Sequence, residues 1–165
     1  CVTCQSDIIK LLMENAAELR IDLYQKSISG WTAFQIICFE GHLDVFKVFM
    51  ENANIFSIDL DTKSNGGWTA FHIACNEGHL DVVKIFLENA AALSINLGRK
   101  SKCGLTAFDV ACYQGHSNVV KIFMENATTL SIDLNSENNQ IETAFQLACQ
   151  RCGQNFHGES NHFKH

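Results

Sequence analysis

Apolar positions along this chain follow two nested periods. The shorter one is helical. In Trp31-Thr-Ala-Phe-Gln-Ile-Ile-Cys-Phe-Glu-Gly-His42, residues Phe34, Ile37 and Cys38 fall at i, i+3 and i+4 and line one face of a short helix. Thr32 stands where a hydroxyl caps the first free N–H groups, and Gly41 stands where a left-handed residue closes a helix. A second helix is predicted from about Leu43 to Asn52, with Val45, Val48 and Phe49 inward and Asp44, Lys47 and Glu51 outward. Asn52, Asn89 and Asn126 are expected to end these second helices in the same left-handed geometry as Gly41. The longer period is a repeat: the whole stretch returns at Trp68, at Leu105 and in part at Glu142, a constant step of 37 residues.

After each second helix comes a short apolar alternation, Ile21-Asp-Leu23, Ile58-Asp-Leu60, Ile95-Asn-Leu97 and Ile132-Asp-Leu134. Polar tips such as Asp61-Thr-Lys-Ser-Asn-Gly66 follow, a pattern that suits an extended arm or hairpin. A unit this small cannot dry its own apolar face, so neighbouring copies must stack. The fold predicted is therefore an all-α solenoid. It comprises a partial repeat at 1–30, complete repeats at 31–67, 68–104 and 105–141, and a degenerate partial repeat at 142–165. Cys1 aligns with Cys38, so only the second helix of the first repeat, about Ser6 to Asn15, is expected, with Ile8 to Met13 uncovered and solubility poor. A chain opening on Cys1 reads as a fragment of something longer.

Composition narrows the function. Apolar residues make up 47% of the chain and charged ones 18%, which suits a folded protein rather than a disordered tail. A net charge of −6 argues against nucleic acid, whose backbone needs clustered Lys and Arg. No apolar run reaches the length of a membrane span. Cys1, Cys38, Cys75, Cys112 and Cys149 share one repeat position. Stacked equivalents sit about 8–10 Å apart, beyond the roughly 7 Å limit of a disulfide, so they read as buried thiols in a reducing compartment, cytoplasmic or nuclear. Cys4, Cys103 and Cys152 fall outside the pattern, and the glycosylation signal Asn126-Ala-Thr128 has no role in such a compartment.

Thr69-Ala-Phe-His-Ile-Ala74, the turn Gly78-His79 and the following Val82-Val83-Lys84 resemble the ankyrin repeat, over residues 1–151. Two features depart from that family. Its helix-start Pro is replaced by Ala33, Ala70, Ala107 and Ala144, and the period exceeds the usual length of about 33. The excess lies between Asn52 and Thr69 and their equivalents, as a longer second helix or a separate turn. The resemblance implies a non-enzymatic protein–protein interaction module or scaffold of L-shaped units, docking partners on first-helix faces and hairpin tips.

Within the repeated frame some positions vary. They are Gln35, His72, Asp109 and Gln146; Phe39, Asn76, Tyr113 and Gln150; Glu40, Glu77, Gln114 and Arg151; and the tips Lys63, Arg99, Lys100 and Lys102. Freedom at solvent-facing positions is where specificity can be written. The predicted partner-binding set is therefore Gln35, Phe39, Glu40, Lys63, His72, Asn76, Glu77, Arg99, Lys100, Lys102, Asp109, Tyr113 and Gln114, on a monomer that binds a protein partner. His42, His79 and His116 recur with the frame and read as structural, and His72 is placed to bond Thr69 one turn away.

No catalytic motif, cofactor or metal site is assigned. The tail Cys149-Gln-Arg-Cys152, with Phe156 and His165, resembles the front of a two-Cys, two-His zinc finger without its fourth ligand, leaving His157 or His162 as substitutes. It defines the alternative reading, a zinc-dependent nucleic-acid binder. Cys1-Val-Thr-Cys4 has the same Cys spacing without a nearby His. Regulation of an enzyme or channel within a longer chain is the other alternative.

Overall fold

A computed structural model describes residues 2–19, 22, 24–55, 58–140 and 142–154. Every regular element among them is a helix. These are α1 (Val2–Glu14), α2 (Ala16–Leu19), α3 (Ala33–Glu40), α4 (Leu43–Asn52), α5 (Ala70–Glu77), α6 (Leu80–Asn89), α7 (Ala107–Gln114), α8 (Ser117–Asn126) and α9 (Ala144–Gln154). The first helices α3, α5, α7 and α9 pack in chain order, and so do the second helices α1, α4, α6 and α8. Two layers result, one of first helices and one of second helices.

Local chemistry sets each boundary. Thr32, Thr69 and Thr106 adopt extended φ/ψ and accept the N–H of the residue three on, while that residue's side chain returns to the Thr N–H. Gly41, Gly78 and Gly115 close the first helices at φ 69°, 73° and 78°. At Gly78 a Cβ would lie 2.6 Å from the His116 ring, so the left-handed turn and the close approach both exclude a side chain.

The second helices end differently from expectation. Ala53, Ala90 and Ala127 follow Asn52, Asn89 and Asn126 in ordinary right-handed geometry, and each Asn amide donates back to its i−4 carbonyl instead. The left-handed residues lie further on, Ser94 at φ 54° and Ser131 at φ 52°. There the Ile95 N–H bonds the Ala90 carbonyl and the Ile132 N–H bonds that of Ala127, the long closure of a Schellman turn. The extra residues of the period are thus one added turn after each second helix, which in the first unit is α2.

The expected arms are tight turns; no strand occurs among the described residues. Ser27, Ser64 and Ser101 donate their N–H to the carbonyls of Trp31, Trp68 and Leu105. Neighbouring tips are tied by single backbone–backbone bonds, Lys102 N–H to the Gly66 carbonyl and Asn139 N–H to that of Cys103. One backbone pair per junction is too little to make a ladder. The first arm, Ile21-Asp-Leu23, lies largely outside the described residues.

The core runs the length of the stack as a chain of rings. Phe34 packs on Phe49 of its own repeat (5.7 Å between centroids) and on Phe86 of the next (6.0 Å). Phe71 does the same with Phe86 (5.2 Å) and Phe123 (5.5 Å). Phe86 and Phe123 are thereby each shared between two repeats. Cys38 and Cys75 are fully buried free thiols, pushed up in pKa by desolvation and so poor nucleophiles. Of the other cysteines expected in the core, Cys112 is only half-buried and Cys149 is exposed, at the end of the described stack. Cys1 lies outside the described residues, and so does the Cys4 side chain.

Candidate functional site

The site predicted from sequence divides into three rows across the stack. The first row is the third residue of each first helix. Gln35, His72 and Asp109 are each 1% exposed, against the expectation that they face solvent. Their side chains complete the helix caps and reach beyond. Gln35 Oε1 accepts the Thr32 N–H at 2.9 Å, and its Nε2 donates to the Thr62 and Trp68 carbonyls at 2.8 and 3.0 Å. His72 Nδ1 takes the Thr69 N–H at 3.3 Å, and its Nε2 meets the Leu105 carbonyl at 3.1 Å. A carbonyl only accepts, so the proton sits on Nε2 and the ring is neutral. Burial holds its pKa at about 4, against the pull of the Leu105 bond. Asp109 takes the Thr106 N–H and hydroxyl at 2.8 and 2.7 Å. Burial raises its pKa, partly offset by those two bonds. Gln35 and His72 also reach the following unit, whereas Asp109 makes no such bond among the described residues.

The second row forms the exposed side of the first helices. Phe39 is 39% exposed, with the Trp31 ring edge-on at 5.4 Å. Asn76 donates to Glu77 at 2.6 Å and accepts from Gln114 at 2.7 Å, and Arg151 donates to Gln114 at 3.0 Å. Three repeats are joined by one line of polar side chains. Tyr113, expected to be exposed, is 8% exposed because the Arg151 guanidinium lies over its ring at 5.3 Å and Leu105, Val110 and Leu147 pack beside it. Trp68, Asn76, Leu105, Val110, Tyr113 and Gln114 line a shallow dent between the second and third complete repeats. Glu40 is exposed at the first end of this row.

The third row is the tips. Lys63 Nζ donates to the Lys100 carbonyl at 2.7 Å, and Lys100 Nζ to that of Glu137 at 2.7 Å. Lys26, absent from the sequence-based set, does the same to Lys63 at 2.8 Å. The 37-residue step from Lys26 to Lys63 and from Lys63 to Lys100 is the signal that points to it. Arg99 approaches Asp61 at 3.5 Å, and Lys102 is exposed. His79 and His116 fill the structural role expected of them, meeting the Phe39 and Asn76 carbonyls one repeat back at 2.9 and 2.7 Å.

The side chain of Cys152 lies outside those described, and so do residues Phe156, His157, His162 and His165 of the finger-like tail. Among the described residues no group of three His, Cys, Asp or Glu could hold a metal ion, and no helix is long and apolar enough to cross a membrane.

Paired helices, capped by Thr and closed by Gly-His, stacked in register with a polar first-helix face, define a helical-repeat solenoid. A family model described as ankyrin repeats in three copies matches residues 1–97, and one described as ankyrin repeats in many copies matches residues 90–148. The chain belongs to the ankyrin repeat family, whose members are in general protein–protein interaction modules and typically non-enzymatic. A comparison with curated proteins returns no match.

Proposed function

We propose that this chain is a non-enzymatic docking module or scaffold that holds a protein partner along its first-helix face and tips. Phe39, Glu40, Asn76, Glu77 and Gln114 supply direct contacts, with the edge of Tyr113 and the neighbouring dent receiving an apolar side chain. Arg99 and Lys102 flank the face at the tips. Gln35 and His72 act from beneath, tying one repeat to the next, Asp109 caps its own helix, and Lys63 and Lys100 fix the tips to one another.

One observation carries this reading. Residues that differ from copy to copy on the open face are already hydrogen-bonded into one line, from Glu77 through Asn76 and Gln114 to Arg151. A surface ordered before contact loses little entropy on binding, so even a modest contact area becomes useful affinity. Exposed Phe39 beside Trp31 adds an aromatic anchor of the kind that dominates protein interfaces.

The test is selection of ligands from a displayed peptide and protein library, followed by hydrogen-exchange mapping of the bound complex. Protection is expected on α3, α5 and α7, and Phe39→Ala combined with Asn76→Ala should weaken binding about tenfold or more. Protection confined to α4, α6 and α8, or binding unchanged in the double variant, overturns the assignment.

A further inference from the structure

The tips carry a row of cations in register, and we infer that this row takes an acidic segment of a protein partner in the polyproline II form. The inference rests on the docking reading above and names the chemistry that its tip edge recognises. Lys26, Lys63 and Lys100 stand one period apart, and all three are exposed. Each Nζ donates to a carbonyl one tip further on: Lys26 to Lys63 at 2.8 Å, Lys63 to Lys100 at 2.7 Å and Lys100 to Glu137 at 2.7 Å. An ammonium has three N–H groups, so one neutral carbonyl leaves its charge whole and two donors over. The side chains are held in line before any ligand arrives, which lowers the ordering cost of binding.

The row keeps its charge because the acids around it are turned elsewhere. Among the described residues the ion pairs join Lys84 to Asp81, Arg99 to Asp61 and Lys121 to Glu125, and none involves the row. Asp22 accepts the Tyr24 N–H, and Asp59 accepts the Asp61 N–H and the Thr62 hydroxyl. Asp61 accepts the Asn96 N–H besides facing Arg99. Buried Asp109 feels the charge of Lys100 but holds the Thr106 N–H and hydroxyl. Asn96 stands at the period position of Asp22, Asp59 and Asp133, so the tip 96–103 holds Arg99, Lys100 and Lys102 with no acid of its own. A chain of net charge −6 thus presents one edge of the opposite sign.

Pitch selects the form of the ligand. Stacked units lie about 8–10 Å apart. A polyproline II chain has three residues per turn and rises about 3.1 Å per residue, so every third side chain returns to the same side after about 9 Å. A β-strand sends its third residue to the opposite face. A helix takes seven residues per step, so about fifteen are needed to meet three lysines where about seven suffice in the polyproline II form. The fourth place in the row is Glu137, exposed and acidic. It gives the site a direction, with three carboxylates on the lysines and a base at the fourth step. A nucleic-acid backbone, charged alike throughout, would meet repulsion there.

The experiment is fluorescence anisotropy of the chain at low salt with labelled synthetic peptides. The first has Glu at three successive third places and Lys at the fourth, with Pro and Ala between, made in both chain directions. The second has the same composition with the three Glu adjacent. The better direction of the first should bind at least about tenfold tighter than the second, and salt should weaken it. Lys63→Gln combined with Lys100→Gln should abolish the difference, with circular dichroism checking the fold. Independently of any loosening in that variant, exposed Glu137→Lys should switch the preference at the fourth step from Lys to Glu. Equal binding of the two peptides to wild type overturns the inference. So does a preference that Glu137→Lys leaves unchanged, or tighter binding of single-stranded RNA of equal charge or of a helical peptide with Glu at every seventh place. Failure of the peptides beside a library ligand that still protects α3, α5 and α7 overturns this inference and leaves the docking face standing.

Discussion

His72 grips the next repeat through the carbonyl of Leu105, 3.1 Å from Nε2, while Nδ1 accepts the Thr69 N–H that starts its own helix. One neutral imidazole caps a helix and couples two repeats. Protonating Nδ1 removes the acceptor and places a charge in a buried site.

Acid should therefore loosen this stack. The folded pKa of about 4 lies below the ordinary 6.5, so the unfolded chain binds the proton first. The stabilisation is present above pH 6.5 and is lost as pH falls towards 4, an effect worth about 3 kcal/mol for a shift of this size. His72→Gln puts in place the residue used at position 35, with an acceptor for Thr69 and a donor for Leu105. Thermal melts across that range should show wild type losing stability and the variant holding it; parallel curves would refute the assignment.

Asp109 has the opposite sign. Burial raises its pKa above 3.8, so the folded state prefers the protonated acid and ionisation at neutral pH opposes folding. Its contribution is greatest below the unfolded value and falls as pH rises through the folded one. Asp109→Asn keeps an acceptor for Thr106 and adds a donor. The melting temperature at pH 7 should rise by a few degrees, and the gain should shrink in acid. A lower melting temperature at pH 7 would count against it.

The chain of rings predicts a large cost for one truncation. Phe71 is 2% exposed and touches both Phe86 and Phe123. Phe71→Ala should destabilise by about 3–5 kcal/mol in denaturant titration. A loss well below that range would mean that the buried stripe is loosely packed.

Glycine substitutions separate strain from crowding. Gly78 and Gly115 share a left-handed φ, at 73° and 78°. A Cβ at Gly78 meets the His116 ring at 2.6 Å, whereas at Gly115 no described residue beyond its own helix and chain neighbours comes within 4 Å. Gly115→Ala should cost only the backbone term, about 1–2 kcal/mol. Gly78→Ala should cost clearly more, as measured by equilibrium unfolding. Equal losses would show that the His116 ring moves aside freely.

The stack was legible in the sequence because packing repeats: Thr caps, Gly closures and the Phe positions return with the period. The candidate face was only partly legible. Variation among Gln35, His72 and Asp109 suggested exposure, yet their position asks only for a side chain that accepts the Thr N–H, which Gln, His and Asp all do. A buried site can vary when several side chains meet one chemical need. Lys63 and Lys100 misled in the converse way, charged and at the tips yet committed to backbone carbonyls. Asn52 suggested a left-handed cap, but the added turn moves that geometry on to the positions of Ser94 and Ser131.

In-register stacking is tested most directly by nuclear Overhauser contacts among assigned phenylalanine rings. Cross-peaks are expected for Phe34 with Phe86 and for Phe71 with Phe123, pairs that meet only across a repeat junction. None is expected between Phe34 and Phe123, two repeats apart. Cross-peaks between Phe34 and Phe123, or loss of both junction pairs in the folded protein, would contradict the stack and the docking face built on it.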